Sequence, residues 1–132
     1  MTNKELINLA IEARKNSYAP YSLFRVGAAL LSDDGKVFCG TNIENASYSL
    51  TCCAERTALF TAVASGNRNF TAIAIVGGKE DEITEFCPPC GACRQALAEF
   101  STDGALRVVL YNGKDEKEIP LSALLPSSFS LD

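Results

Sequence analysis

Over the first fifteen residues apolar side chains fall at helical spacing, at Leu6, Ile7, Ala10, Ile11 and Ala13, with polar residues between them. Thr2 followed three residues later by Glu5 has the form of a capping box, so a first helix is predicted from about Asn3 to Lys15. The pattern then changes. The stretch 26–31 is apolar, Ser32-Asp33-Asp34-Gly35 interrupts it, and 36–42 resumes an extended pattern, which predicts a hairpin of two antiparallel strands. From Cys52 to Ala64 small and helix-favouring residues dominate, and Gly66 supplies the stop of a second helix. Ala72 to Val76 is a short continuous apolar run closed by Gly77-Gly78, the pattern of a strand buried on both faces. Pro88-Pro89 breaks the chain before a third helix, predicted from Gly91 to Phe100. Leu106 to Tyr111 reads as a strand, Glu118 to Leu121 as a short edge strand and Leu121 to Leu125 as a terminal helical turn, while the charged run 114–118 reads as a solvated turn. Strands alternating with helices predict an α/β fold, a three-layer α/β/α sandwich with a mixed sheet of about five strands.

Composition narrows the reading. A chain of 132 residues is expected to form a single domain, residues 1–132, around one core. The start Met1-Thr2-Asn3-Lys4-Glu5 lacks a basic-then-apolar leader, and no apolar run approaches the roughly 18 residues a membrane span needs, so no membrane partner and a cytoplasmic location are expected. The formal net charge of −4, with no cluster of Lys and Arg, argues against a nucleic-acid partner, because neutralising phosphates requires one. Six cysteines without a secretory leader point to metal chemistry rather than a disulfide framework. Histidine is absent, which removes the commonest metal ligand and the commonest general base together. A metal here must be held by thiolates, and protons must be carried by a carboxylate.

The cysteines fall where such a site needs them. Cys53-Ala54-Glu55 opens the second predicted helix and Pro89-Cys90-Gly91-Ala92-Cys93 the third, with enough chain between them for one helix, one strand and their loops. Thiols at helix N-termini lose their protons more easily, because free amides and the helix dipole favour negative charge. Cys53, Cys90 and Cys93 are therefore the candidate ligands of one Zn²⁺ per chain. Three protein ligands leave a position for water, whose pKa zinc lowers from 15.7 to about 7. Glu55, two residues after Cys53, points away from the ligand direction and is the candidate catalytic proton shuttle. Three thiolates make the centre net negative, and Arg56 and Arg94 both fall on a ligand's own helical face. Arg56 is expected to donate to the sulfurs.

Other readings compete. Cys87, Cys90 and Cys93 form C-x-x-C-x-x-C, so Cys53 with all three would close an inert four-sulfur site, and Cys87 with Cys90 would make a redox pair. Two prolines after Cys87 restrict its reach, and a closed site leaves Glu55 without a purpose. Cys39 and Cys52 read as buried small apolar residues. Glu55 can also be a simple first-turn carboxylate, Phe24 a core residue and Phe129 a hydrophobic anchor for the tail.

These residues together resemble the cytidine deaminase family, in its small three-cysteine form. The resemblance runs through Tyr21-Ser22-Leu23-Phe24-Arg25-Val26-Gly27-Ala28-Ala29, residues 41–48, residues 53–58, residues 89–95 and the tail 124–130. The Cys-x-Glu and later Pro-Cys-x-x-Cys pattern is that of zinc deaminases. Pro88 departs from it, since many relatives carry a hydroxyl residue there. The resemblance implies hydrolysis of cytidine and 2′-deoxycytidine to uridine and 2′-deoxyuridine plus ammonia, with an aminohydrolase for a modified cytosine nucleoside or antibiotic as the alternative. It further implies that Asn42 and Glu44 hold the ribose 3′-hydroxyl, that Phe24 packs on the pyrimidine and that Ala54 offers backbone groups to the base. It implies a homotetramer with sites shared between subunits, Tyr48 lying near an interface and Phe129 reaching an adjacent site. Glu44, as a carboxylate, accepts from sugar hydroxyls and repels phosphate, so a free nucleoside is the expected small-molecule partner.

Overall fold

The computed structural model describes residues 1–131; Asp132, the last residue of the predicted domain, lies outside the described residues. The helix α1 (Asn3–Arg14) starts at Thr2, whose hydroxyl accepts from Glu5 N at 3.1 Å while the Glu5 carboxylate accepts from Thr2 N at 3.2 Å. Strands β1 (Phe24–Ser32) and β2 (Val37–Thr41) form the predicted hairpin. Then follow α2 (Ala54–Ala64), β3 (Phe70–Lys79), α3 (Gly91–Ala98), β4 (Arg107–Tyr111), β5 (Glu116–Pro120) and the short α4 (Leu121–Leu124). The sheet order is β2-β1-β3-β4-β5, antiparallel except for the parallel β3–β4 pair, so the sheet is mixed and five-stranded.

Alternation along the strands sends side chains to two cores. Ala29, Ala72, Ala74, Val76 and Val109 face α1 through Leu6, Ile7 and Ala10. Ala28, Leu30, Ile73, Ile75, Val108 and Leu110 face α2 and α3 through Ala58, Leu59, Ala62 and Leu97. The sheet is thus sandwiched between α1 and the α2–α3 layer. A Cβ on Gly40 would lie 2.4 Å from Ala54 O and from Ala58 N, so only glycine lets the first turn of α2 press onto β2. That contact fixes where the α2 N-terminus points.

The differences from the sequence expectations are local. Helix α2 starts at Ala54 rather than Cys52, because Cys52 is held in an isolated bridge with Ile43 and Cys53 is the extended N-cap. β3 runs on to Lys79, through the glycines expected to close it. Gly77 pairs with Val26, and a Cβ on it would meet Cys87 Sγ at 2.8 Å and Phe24 Cε1 at 2.9 Å, so it is a closely covered strand position rather than a turn. The charged run 114–118 is exposed as expected, but Glu116–Glu118 already belong to β5, which pairs with β4 on one side only. An edge strand has one free flank, which is where charged residues are tolerated. Among the described residues no helix is long and apolar enough to cross a membrane.

Candidate active site

Two helix N-termini meet at the site. Cys53 caps α2 and Cys90 caps α3, both in extended backbone conformations and neither using a side-chain hydrogen bond to close its helix. Cys93 stands one turn into α3 and is fully buried. The Sγ atoms of Cys53 and Cys90 are 3.8 Å apart, those of Cys90 and Cys93 3.5 Å, and all three lie within 4.8 Å of one another. Tetrahedral zinc with Zn–S bonds of about 2.3 Å sets its sulfurs about 3.8 Å apart, so the three thiols fit one zinc ion. Cys87 is not in this group, which argues against the four-sulfur alternative, and all six cysteines are free thiols.

The charges around the sulfurs follow from burial and hydrogen bonding. A bond from the Cys93 thiol, reinforced by Arg56 and Cys90, brings Cys53 down to about 5 against the opposing effect of burial. Cys93, the donor, is pushed far up. Arg56 Nη2 donates to Cys53 Sγ at 3.3 Å, and the pairing raises the Arg56 guanidinium further above its ordinary range. Its Nε is buried with no hydrogen-bond partner among the described residues, a spare donor beside the sulfurs. Arg94 does something else. Its Nε donates to Pro89 O and its Nη1 to Leu124 O, each at 2.8 Å, so it braces the loop before Cys90 against α4.

Glu55 sits in the first turn of α2 at 4% exposure. Burial raises its carboxyl to about 7, with the Cys53 charge pushing the same way. A carboxyl poised near neutrality can both accept and return a proton. Cys87, also near this carboxylate, is pushed up to about 11 by burial and stays a thiol.

The other candidates form a rim. Asn42 is 9% exposed: its Oδ1 accepts from Val26 N at 3.0 Å and from Ser17 Oγ, and its Nδ2 donates to Phe24 O at 2.8 Å. The amide thus pins the start of β1, leaving one Nδ2 hydrogen for another partner. Phe24 is 37% exposed, with its ring against Gly77. Glu44 accepts from the backbone N–H of Tyr21 and Ser22, and the Ser22 hydroxyl, with these amides, holds its carboxyl below the ordinary range. Tyr21, Ser22, Glu44, Tyr48 and Thr51 line a cavity of about 390 Å³, and Tyr48 packs edge-on to Tyr21 at 6.2 Å. Ala54 is fully buried at the first position of α2, where helix N–H groups have no partner within the helix. Phe129 is 69% exposed on the tail, where Gln95 holds its carbonyl at 3.2 Å; within one chain it stands beside its own α3.

Two sequence readings need correction. Cys39, expected to be buried, is exposed, because β2 is the outer strand of the sheet; Cys52 is only half-buried in its bridge. Neither joins the sulfur group. The sequence pattern alone does not point to Ser22, beside Glu44, or to Cys87, near Glu55. For Ser22 the nearest signal is its place beside Phe24; for Cys87 nothing local signals the contact made across Gly77.

A sheet sandwich that brings three thiols and a buried carboxylate to two helix starts has the architecture of a metal-dependent hydrolase. Sequence comparison specifies the kind. Residues 1–111 match the cytidine and deoxycytidylate deaminase zinc-binding region, and the chain belongs to that family. It is 50% identical to cytidine deaminase of Halalkalibacterium halodurans over 133 residues, covering 100% of this chain and 97% of the relative. It is 49% identical to that of Sporosarcina psychrophila over 131 residues, covering 98% and 93%. A crystal structure of cytidine deaminase from Burkholderia pseudomallei matches with a TM-score of 0.89 at 52% identity, over 98% of this chain and 100% of that one. The family is a zinc-binding one, and the group of Cys53, Cys90 and Cys93 could hold one such ion.

Proposed function

We propose that this chain, as one deaminase domain, converts free cytidine and 2′-deoxycytidine to uridine and 2′-deoxyuridine with release of ammonia, in cytoplasmic pyrimidine salvage. The observation that carries the reading is the buried Glu55 beside three sulfurs gathered at two helix N-termini. Cys53, Cys90 and Cys93 are assigned as the zinc ligands, and bound zinc supplies the Lewis acidity that makes water a nucleophile near neutral pH.

The chain's own groups then account for the rest. Glu55 takes the proton from the attacking water, delivers it to N3 of the cytosine, and returns a proton to the departing amino group. A C4–O bond forms, the C4–N4 bond breaks and ammonia leaves, so atoms balance with one water consumed. Burial of Glu55 keeps its proton affinity in the range both transfers need. Arg56 offsets charge on the sulfurs. Phe24 stacks on the pyrimidine, Ala54 offers its backbone to the base edge, and Asn42 and Glu44 receive the ribose 3′-hydroxyl.

The family includes deaminases of cytidine, a nucleoside, and of deoxycytidylate, a nucleotide. The ionised Glu44 favours the nucleoside, because it accepts from neutral hydroxyls and repels a phosphate. The chain is proposed to work as a homotetramer, with exposed Tyr48 near an interface and Phe129 reaching a neighbouring site. The test is ammonia release by zinc-loaded protein from cytidine, 2′-deoxycytidine and their monophosphates. Turnover confined to the nucleosides supports the reading; turnover of the monophosphates alone, or of none, refutes it.

A further inference from the structure

We infer that Ser22 is a positioning residue that sets how strongly the enzyme depends on the sugar 3′-hydroxyl. The inference rests on the assignment of Glu44 to that hydroxyl. Ser22 lies in the turn before β1, where Leu23 takes a left-handed backbone conformation (φ 60°) and its N–H donates to Ala19 O at 3.0 Å. This turn folds the segment back so that two successive amides face one carboxylate. Tyr21 N and Ser22 N donate to Glu44 Oε1 at 2.9 and 3.1 Å, and Ser22 Oγ donates to Glu44 Oε2.

Ser22 Oγ accepts the Phe24 N–H at 3.0 Å, while Phe24 O, at 3.5 Å, is a poor acceptor for it. The single hydroxyl proton is therefore committed to Glu44. A carboxylate oxygen accepts two hydrogen bonds. Oε1 is filled by the two amides, and Oε2 keeps one open lone pair. Ser22 thus leaves Glu44 with a single acceptor direction and locks its rotamer, and the same hydroxyl ties the carboxylate to the backbone of Phe24. The sugar-facing and base-facing residues are held by one hydrogen-bonded turn. Without the hydroxyl, Oε2 has two open lone pairs that water fills, and a substrate hydroxyl must displace that water and order the side chain again.

The experiment compares cytidine with 3′-deoxycytidine on the zinc-loaded full chain, as wild type, Ser22→Ala, Ser22→Cys and Ser22→Thr, with zinc content and thermal midpoint measured alongside. A lost hydrogen bond to a charged group predicts that Ala and Cys variants raise KM for cytidine about tenfold or more, with kcat within about twofold. KM for 3′-deoxycytidine stays near wild type, so the discrimination between the two substrates shrinks by the same factor. Ser22→Thr, which keeps the hydroxyl, restores it. Cysteine matches serine in shape but donates weakly, so it separates loss of the proton from loss of volume. Unchanged discrimination in the Ala and Cys variants overturns the inference, as does a fall in thermal midpoint without a KM change, or failure of both variants to fold. If the wild type itself does not discriminate, the assignment of Glu44 fails first, and that is visible before any substitution is made.

Discussion

Helix α1 and the pair α2 and α3 begin in opposite ways. Thr2 and Glu5 close the first turn of α1 with reciprocal hydrogen bonds, and Arg14 sits in its last turn, so α1 follows the ordinary rules for a stable helix. At α2 and α3 the cap position holds a cysteine that makes no capping bond. A serine or aspartate there would stabilise each helix by roughly 0.5–2 kcal/mol. Local stability is given up at the two places where three sulfurs and a buried carboxylate converge. Departure from a local rule, twice and at converging points, marks chemistry rather than scaffold.

That contrast can be broken by substitution. Replacing Cys90 by Ser, whose neutral hydroxyl is a poor zinc ligand, is expected to abolish turnover and bring bound zinc, read by elemental analysis, well below one per chain. The metal-free variant should melt no lower than the metal-free parent, because serine is the better cap. A variant that keeps full zinc and activity would show that Cys90 is no ligand. Next in size, Glu55→Ala should lose about 10²–10⁴-fold in kcat while retaining zinc, since that is the usual worth of general acid–base catalysis. Activity within tenfold of the parent would remove Glu55 from the proton path.

Arg56→Ala should have a smaller effect, about tenfold in kcat at pH 7, with the acid limb of the pH–rate profile moving towards alkaline pH at full zinc occupancy. The sign follows from charge: losing a cation beside the sulfurs leaves the site more negative, which raises the pKa of groups that must lose a proton. An unmoved profile would show that Arg56 does not tune the site. The smallest change is expected on the other side of the comparison. Thr2→Ala should cost about 1 kcal/mol in unfolding free energy, measured by urea denaturation, and leave kcat/KM as it was. A loss of activity there would mean that α1 does more than support the sheet.

How much was legible in the sequence varied with the range of the forces involved. The α1 cap, the β1–β2 hairpin and the terminal turn of α4 depend on neighbours within a few residues, and their patterns were readable. Cys53 with Glu55, and Cys90 with Cys93, were readable as candidates too, because each pair lies at short spacing at a predicted helix start. Glycines 77 and 78 misled, since Gly-Gly usually ends a strand; here the near approach of Cys87 and Phe24 to Gly77 keeps a side chain out. Cys39 misled as well: its burial depends on whether β2 has a strand on its outer flank, and among the described residues it has none.

The sequence by itself determined the two-faced strands, the capped first helix and the donor set, thiols with a carboxylate and no imidazole. Those follow from side-chain chemistry and local backbone preference, which travel with the residues. Only the tertiary structure decided that Cys53 and Cys90, far apart along the chain, would place their sulfurs 3.8 Å apart, and that Glu55 would be dry enough to hold a proton near neutrality. It alone set Ser22 against Glu44 across the turn before β1. Distances between segments and the exclusion of water arise from packing helices on a sheet, and no single stretch of sequence carries them.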